Sequence, residues 1–178
     1  MQNSKVIAAV RNGEELNIAL NSNVSTIFML GSNIEEIKRQ IDLTHQNNKT
    51  IFIHLDLLEG VGKDEYGIRF LKNLGIDGII STRTNLIKIA KKEGLKTVQR
   101  FFIVDSHSIQ TTLDSLSSSK ADMIEIMPGT LDKIINKLSK EIKVPIVAGG
   151  LIETKDEIFK ATKNGAFAVS TGKSNLWE

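Results

Sequence analysis

Short apolar runs recur along this chain about every 20 residues, and each is followed by a glycine or polar residue and then by a helical pattern. The runs are nearly continuous in Val, Ile, Ala and Phe, which is typical of strands buried on both faces of a parallel sheet. The predicted strands are Val6–Val10, Val24–Leu30, Thr50–Leu55, Gly78–Ser81, Thr97–Val104, Met123–Ile126, Pro145–Ala148 and Ala166–Val169.

The stretches between these runs have the periodicity of amphipathic helices, as in Ile34–Gln46, Arg83–Glu93 and Leu131–Glu141. Glycine often follows the last turn of a helix because it adopts the left-handed conformation at little cost. Gly75, Gly94 and Gly165 each lie between a helical pattern and a strand, and we expect them to end helices.

Eight strands alternating with helices predict a compact (β/α)8 TIM-type barrel with short loops, in one domain over residues 1–178. An open doubly wound sheet is the competing architecture, but eight strands in so short a chain favour the barrel. Few residues follow Val169, so the last helix is expected to be truncated and the wall beside the first and last strands to be bare. Because exposed apolar patches usually bind a partner, we expect a homodimer or another cover at this wall, in which Trp177 takes part.

The composition is that of an ordinary globular protein, with 40% hydrophobic and 25% charged residues and a net charge of +2. The absence of cysteine excludes disulfides and thiolate metal sites, and the scattered carboxylates predict neither a metal nor a cofactor. No apolar stretch approaches the ~20 residues that span a bilayer, and the N-terminus has no signal-peptide design. A cytoplasmic protein without membrane contact is expected.

Glycines and hydroxyl side chains follow the last two strands. In a parallel barrel, the loops after strands seven and eight commonly bind phosphate, because backbone N–H groups approach the anion closely there. The residues predicted to form such a site are Gly149, Gly150, Ser170, Thr171 and Gly172.

Charged residues within or directly after apolar strands point to the same rim. A buried lone charge is costly, so these residues should pair with one another or contact a ligand. One arrangement pairs Arg100 with Glu125 and lets Asp56 orient Arg11, and it need not exclude ligand contact. The expected polar ligand contacts are Arg11, His54, Asp56, Arg100 and Glu125.

Two predicted helices each carry a row of three lysines on one face. They lie in the most basic part of the chain, where 11 basic and 7 acidic residues fall between Arg83 and Lys143. They flank a nearly neutral helix, His107–Ser118, and lysines on such a surface can contact RNA phosphates. Solvated lysines are also common on exposed helix faces. The candidate RNA contacts are Lys88, Lys91, Lys92, Lys133, Lys137 and Lys140.

Two functions besides RNA binding remain open at this point. His54 with Asp56 or Glu125 could act as acid and base in an enzyme for a small phosphorylated substrate. A protein-interaction module that responds to a metabolite is the other. The short loops give little room for a lid, which favours a sensor over an enzyme and thus a protein without catalytic residues.

The whole pattern resembles the glycerol uptake operon antiterminator regulatory proteins, from about Lys5 to Trp177. The resemblance is carried by segments spread over the chain. They are VIAAVRNGEEL from Val6, IFIHLDLLEGVGKDEYG from Ile51, DGIISTRTNLIKIAKKEGLKTVQRFFIVDS from Asp77, IEIMPG from Ile124, PIVAGGLIETKDE from Pro145 and AVSTGKSNLW from Ala168.

This resemblance implies a (β/α)8 fold that recognises the effector glycerol 3-phosphate. In the bound form, a member acts on the leader messenger RNA of a glycerol-metabolism operon and allows transcription past a terminator. The Gly149–Gly150 and Ser170–Gly172 segments would then hold the phosphate. His54, Asp56, Arg100 and Glu125 would face the glycerol end.

Overall fold

The computed structural model describes residues 5–178, and its main sheet is a closed barrel of eight parallel strands. The strands, in chain order, are β1 Val6–Val10, β2 Thr26–Met29, β3 Ser32–Asn33, β4 Thr50–His54, β5 Leu58–Glu59, β6 Gly78–Ser81, β7 Lys96–Phe102, β8 Met123–Met127, β9 Ile146–Gly149 and β10 Ala168–Thr171. The helices are α1 Gly13–Leu20, α2 Ile37–Gln46, α3 Glu65–Leu74, α4 Thr84–Lys92, α5 Ser106–Ser119, α6 Asp132–Glu141 and α7 Lys155–Lys163.

The barrel closes in the order β1-β2-β4-β6-β7-β8-β9-β10, with β1 paired to β10, which confirms the predicted TIM-type fold. Its interior is filled by one apolar residue from each strand, among them Phe28 and Phe52, whose ring centroids are 5.5 Å apart. Side chains alternate across a strand, so residues two positions further on also face inward, nearer the C-terminal rim. That second inward layer contains His54, Arg100, Glu125 and Ser170.

Side-chain caps set where several helices begin. Asp64 accepts a hydrogen bond from the N–H of Gly67 at 2.9 Å, and Thr154 forms a capping box with Glu157. Gly75, Gly94 and Gly165 follow helices with φ of +93°, +82° and +106°, as expected from the sequence. No helix within residues 5–178 is long and apolar enough to cross a membrane.

The helix predicted from Ile34 begins three residues later, at Ile37. The side chain of Asn33 accepts hydrogen bonds from the N–H groups of Glu35 and Glu36, both at 3.0 Å. These bonds hold the segment in a turn, because an Asn side chain competes with helix formation for nearby backbone donors. The apolar periodicity of the sequence does not reveal this competition.

A second, two-stranded sheet stands outside the barrel and was not predicted. It pairs β3 with β5 in parallel, Ser32 opposite Leu58 and Asn33 opposite Glu59. Gly60, with φ of +75°, packs against Ile34 at its end. This pairing connects the loop after β2 to the loop after β4 outside the barrel.

Trp177 is buried within its own chain, so of the two covers expected at this wall the one that involves this residue is supplied by the C-terminal tail. Only 1% of the residue is exposed, and its Nε1–H donates to the carbonyl of Thr171 at 2.8 Å. A 3-10 turn at Ser174–Leu176 leads the chain back to α1, where the N–H of Asn23 donates to the carbonyl of Trp177. The truncated last unit is as predicted, but the chain covers much of the gap with its own tail.

Candidate functional site

A pocket of about 370 Å³ opens at the C-terminal ends of β1, β7, β8, β9 and β10. This rim pocket has the size of a site for a small metabolite. It collects four of the five residues predicted for phosphate, namely Gly150, Ser170, Thr171 and Gly172. It also collects three of the five predicted polar contacts, namely Arg11, Arg100 and Glu125.

The floor of the rim pocket is a chain of buried polar groups. Glu125 is 1% exposed, and its carboxylate accepts hydrogen bonds from Arg100 Nε at 2.6 Å and from Ser170 Oγ at 2.5 Å. The predicted Arg100–Glu125 pair is therefore present. Its neutralised charges can lie under the pocket without an unpaired ion in the barrel.

Gly149 belongs to this floor and does not line the pocket. A Cβ at this position would lie 2.7 Å from Ser170 Oγ and would collide with the carboxylate of Glu125. The glycine is thus needed for the Glu125–Ser170 contact. Its role differs from the direct phosphate contact that the sequence predicts.

Free backbone donors lie at the ends of β9 and β10. Gly150 and Leu151 have positive φ of +75° and +59°, a costly backbone for leucine that is found mostly at functional sites. The N–H groups of Leu151 and Gly172 have no hydrogen-bond partner within residues 5–178. Such N–H groups, exposed in a pocket, are suited to an anion.

The hydroxyl of Thr171 joins the two loops. It donates to the carbonyl of Ile152 at 2.7 Å and accepts from the N–H of Lys173 at 3.1 Å. Both loops are held in register by this one side chain, which leaves the hydroxyl less available to a ligand than the sequence suggests.

Two further cations line the rim pocket. The Arg11 guanidinium makes no ion pair within residues 5–178, and Gly172 leaves room for it, since a Cβ there would lie 3.1 Å from its Nη1. Lys173 pairs with Glu153 at 3.0 Å on exposed side chains. Sequence reasoning missed Lys173, although a lysine directly after a strand–Thr–Gly turn is a usable signal for an anion site.

His54 and Asp56 do not line the rim pocket. Asp56 accepts hydrogen bonds from Ser81 Oγ at 2.9 Å and from the N–H of Thr82 at 2.8 Å, and it pairs with Arg83 at 3.2 Å. The expected contact with Arg11 is therefore wrong, because the end of β6 supplies nearer donors.

The imidazole of His54 is buried beside these groups, with 4% of the residue exposed. Its Nδ1 lies 3.8 Å from Asp56 and has no hydrogen-bond partner. Burial, helped by the charge of Arg100, lowers the pKa of His54 to about 4, so the ring is neutral near pH 7. The proposed acid–base pair of His54 and Asp56 is not assembled at the pocket, which weakens the enzyme hypothesis.

All six predicted RNA-contacting lysines are exposed. They lie on α4 and α6, which the strand order places on either side of α5. Lys91 pairs with Asp122 at 2.5 Å, whereas the other five make no ion pair within the described residues.

No group of three His, Asp or Glu side chains within residues 5–178 is arranged to hold a metal ion. The fold and the pocket together define a class: a TIM-type barrel whose C-terminal rim carries a pocket lined by cations and by N–H groups that lack a partner within residues 5–178.

Comparison with known proteins makes the assignment specific. The chain belongs to the glycerol-3-phosphate responsive antiterminator family, whose family model matches residues 6–177. The Escherichia coli K12 protein YgcP is 36% identical over 99% of this chain and 93% of its own length.

Two solved structures are similar over nearly the whole chain. The glycerol uptake operon antiterminator regulatory protein of Listeria monocytogenes is 31% identical, with a TM-score of 0.93 over 99% of this chain and 96% of that chain. An antiterminator-related protein of Thermotoga maritima is 29% identical, with a TM-score of 0.88 over 99% of both chains. The resemblance expected from the sequence is confirmed.

Proposed function

We propose that this protein binds glycerol 3-phosphate in the rim pocket and, in that state, binds the leader messenger RNA of a glycerol-metabolism operon as a cytoplasmic antiterminator. The observation that carries the proposal is the convergence of the β9 and β10 ends in one pocket. Two N–H groups and the Arg11 guanidinium, all without a partner among residues 5–178, meet there in a chain of this family.

The phosphate would bind to the N–H groups of Leu151 and Gly172 and to Arg11. Charge-assisted hydrogen bonds to a dianion are stronger than neutral ones, and Lys173 adds a further positive charge. The Arg100–Glu125 floor offers guanidinium donors and a carboxylate acceptor, which suit the hydroxyl groups of the glycerol part. His54 does not line this pocket.

A regulatory role fits this arrangement better than catalysis. Within residues 5–178, His54 is the one buried base with an unpartnered nitrogen, and it does not line the pocket. Glu125 is already engaged by two donors. The pocket can therefore select and hold a ligand, but it offers no free acid–base pair to the bound molecule. No cofactor enters this proposal.

Glycerol 3-phosphate can change RNA binding only if it binds one conformational state of the protein more tightly than another. The Gly150–Leu151 turn is the element we assign to this change, because Leu151 lines the pocket and is also 70% exposed. Ligand contact with the Leu151 N–H would order the turn and present its side chain. Reciprocity requires leader RNA to tighten glycerol 3-phosphate by the same factor by which the ligand tightens RNA.

A second copy of the chain remains an expected partner. Ile18 on α1 and Phe159 on α7 are exposed on the two helices that flank the C-terminal tail. A homodimer would bury them, and Phe159→Glu should then shift the sedimentation coefficient to that of a monomer.

Calorimetry with glycerol 3-phosphate, glycerol and inorganic phosphate tests the ligand. Gly150→Ala should weaken glycerol 3-phosphate binding, because the added Cβ sits at positive φ and 2.7 Å from Met127 Cε. Gly94→Ala is the matched control, since it has a similar φ and no neighbour within 4 Å. Equal affinity of the two variants would contradict the assigned pocket.

Filter binding with leader RNA, with and without glycerol 3-phosphate, tests the second half of the proposal. Ligand-dependent RNA retention is expected. Turnover of glycerol 3-phosphate, followed by NMR, would instead establish an enzyme.

A further inference from the structure

Five charged side chains line the rim pocket, and four of them are paired with one another. Arg100 pairs with Glu125 in the floor, and Lys173 pairs with Glu153 at 3.0 Å. Arg11 has no ion-pair partner among residues 5–178. The three cations and two carboxylates give the lining a formal charge of +1. A phosphate monoester carries about −1.5 to −2 near pH 7, so this lining does not neutralise it.

The Lys173–Glu153 pair connects the two loops that would hold the phosphate, since Glu153 follows β9 and Lys173 follows β10. Each residue has a backbone hydrogen bond of its own. The N–H of Glu153 donates to Glu157 Oε2 at 2.8 Å, and the N–H of Lys173 donates to Thr171 Oγ1 at 3.1 Å. Because these bonds do not involve the ion pair, the pair can open by movement of its two side chains alone.

The two ion pairs differ in how readily they can separate. Arg100 and Glu125 are 7% and 1% exposed, and separation of a buried pair leaves uncompensated charges in the barrel. Lys173 and Glu153 are 50% and 60% exposed, and such pairs contribute little because water solvates both ions when they part. Lys173 is therefore the cation that a bound anion can take from its partner.

We infer that Glu153 is an internal competitor of the phosphate. It holds Lys173 in the free protein, and a phosphate monoester that enters the pocket takes Lys173 from it. Arg11 and Lys173 together then match the charge of a dianion. The free energy needed to separate Lys173 from Glu153 is subtracted from the binding free energy, so Glu153 makes the pocket bind its anion less tightly.

This inference rests on the proposed function for its ligand, glycerol 3-phosphate. It assigns Glu153 a regulatory role at that site, because a weaker affinity raises the effector concentration at which half of the protein is occupied. The carboxylate would thus set the threshold of the sensor without contacting the ligand.

Two other roles of Glu153 would have different consequences. If its carboxylate accepted hydrogen bonds from the glycerol hydroxyl groups, Glu153→Gln would weaken glycerol 3-phosphate and leave inorganic phosphate unchanged. If the ion pair served only to brace the two loops, its removal would weaken both ligands. An internal competitor is distinguished from both, because its removal makes both ligands bind more tightly.

Calorimetry of the full chain with glycerol 3-phosphate and with inorganic phosphate tests this role. Glu153→Gln keeps the size and the backbone N–H of the residue and removes its charge. Both ligands should bind about two- to fivefold more tightly, the factor that corresponds to the loss of an exposed ion pair. Glu178→Gln is the matched control and should bind as wild type, because Glu178 forms a similar exposed pair with Lys155 at 2.8 Å and does not line the pocket.

A double variant shows whether Glu153 acts through Lys173. Lys173→Met should weaken both ligands, and addition of Glu153→Gln to it should change their affinity little, since no cation is left to compete for. If Glu153→Gln tightened binding equally with and without Lys173, the carboxylate would act by general repulsion and the inference would be wrong.

Unchanged or weaker binding of either ligand in Glu153→Gln would also overturn the inference. The proposed effector can fail separately. A wild-type protein that binds glycerol 3-phosphate no more tightly than inorganic phosphate, but shows the expected tightening in Glu153→Gln, would refute the effector and support the internal competitor. A wild-type protein that binds neither anion saturably would refute both.

Discussion

Glu125 holds together the groups under the rim pocket. Both of its carboxylate oxygens are engaged, one by Arg100 and the other by Ser170, in a nearly solvent-free position. A side chain at Gly149 would collide with the Glu125 carboxylate and with Ser170 Oγ, so this contact requires a glycine there. The polar groups under the rim pocket therefore depend on one ion pair, Arg100–Glu125, and both of its members are buried.

Glu125→Gln should lower the free energy of unfolding by about 3–5 kcal/mol, because Arg100 then keeps a buried and unpaired charge. Urea denaturation measures this change. A double variant, Arg100→Met with Glu125→Leu, should recover much of the stability but not the binding of glycerol 3-phosphate. If Glu125→Gln were as stable as wild type, the pair would not be the buried unit described here.

His54 gives the protein a pH-dependent stability. Burial lowers its pKa from 6.5 to about 4, whereas the unfolded chain takes up the proton near pH 6.5. The neutral ring therefore contributes its full stability above pH 6.5, and up to about 3 kcal/mol is lost as the pH falls towards 4.

Urea unfolding of wild type and His54→Asn at pH 7 and pH 4.5 measures this contribution. The variant should lose less stability on acidification than wild type, because it has no ring to protonate when it unfolds. His107→Gln, which removes an exposed histidine on α5, should keep the wild-type difference. Parallel pH profiles for wild type and His54→Asn would contradict the assignment.

At the scale of elements, hydrophobic pattern alone predicts the eight barrel strands and their order along the chain. It works because strands inside a (β/α)8 barrel are apolar on both faces and are separated by amphipathic helices. Boundaries fail where side chains hydrogen-bond locally, as Asn33 does before α2. The β3–β5 sheet escapes prediction because two paired residues per strand leave no periodic signal.

As with the helices and strands, the sequence predicted the location of the site but not all of its contacts. Strand ends located the rim pocket and most of its residues, because all C-terminal ends of parallel strands meet at one rim. The partners of Asp56 were not predictable, since its donors come from the next strand and depend on three-dimensional register. Gly149 shows that a glycine motif can mark close packing as well as anion binding.

The C-terminal tail acts as an element in place of a full eighth helix. Trp177→Ala should lower the free energy of unfolding by about 3–5 kcal/mol, the usual cost of removing a buried large aromatic side chain. Thermal or urea unfolding measures it. Phe167→Ala, at an exposed aromatic residue, is the control and should cost far less.

At the scale of the whole molecule, the proposed RNA surface and the ligand pocket are distinct regions of one barrel. If α6 contacts phosphates, replacing Lys133, Lys137 and Lys140 by Gln should reduce the slope of log K against log salt by about 2–3. The matched control replaces Lys38, Lys155 and Lys160, which are exposed and ion-paired on other helices. Equal slopes for the two triple variants would leave the lysines of α6 as solvated residues.

Trp177 is the protein's one tryptophan, and its indole N–H is bonded to the carbonyl of Thr171, a residue of the rim pocket. Indole emission depends on hydrogen bonding and on the surrounding dipoles. The protein thus contains an intrinsic fluorescent probe that is hydrogen-bonded to the loop that would bind an anion. A titration followed by fluorescence needs no added label, and the wavelength of the emission maximum should move as the pocket fills.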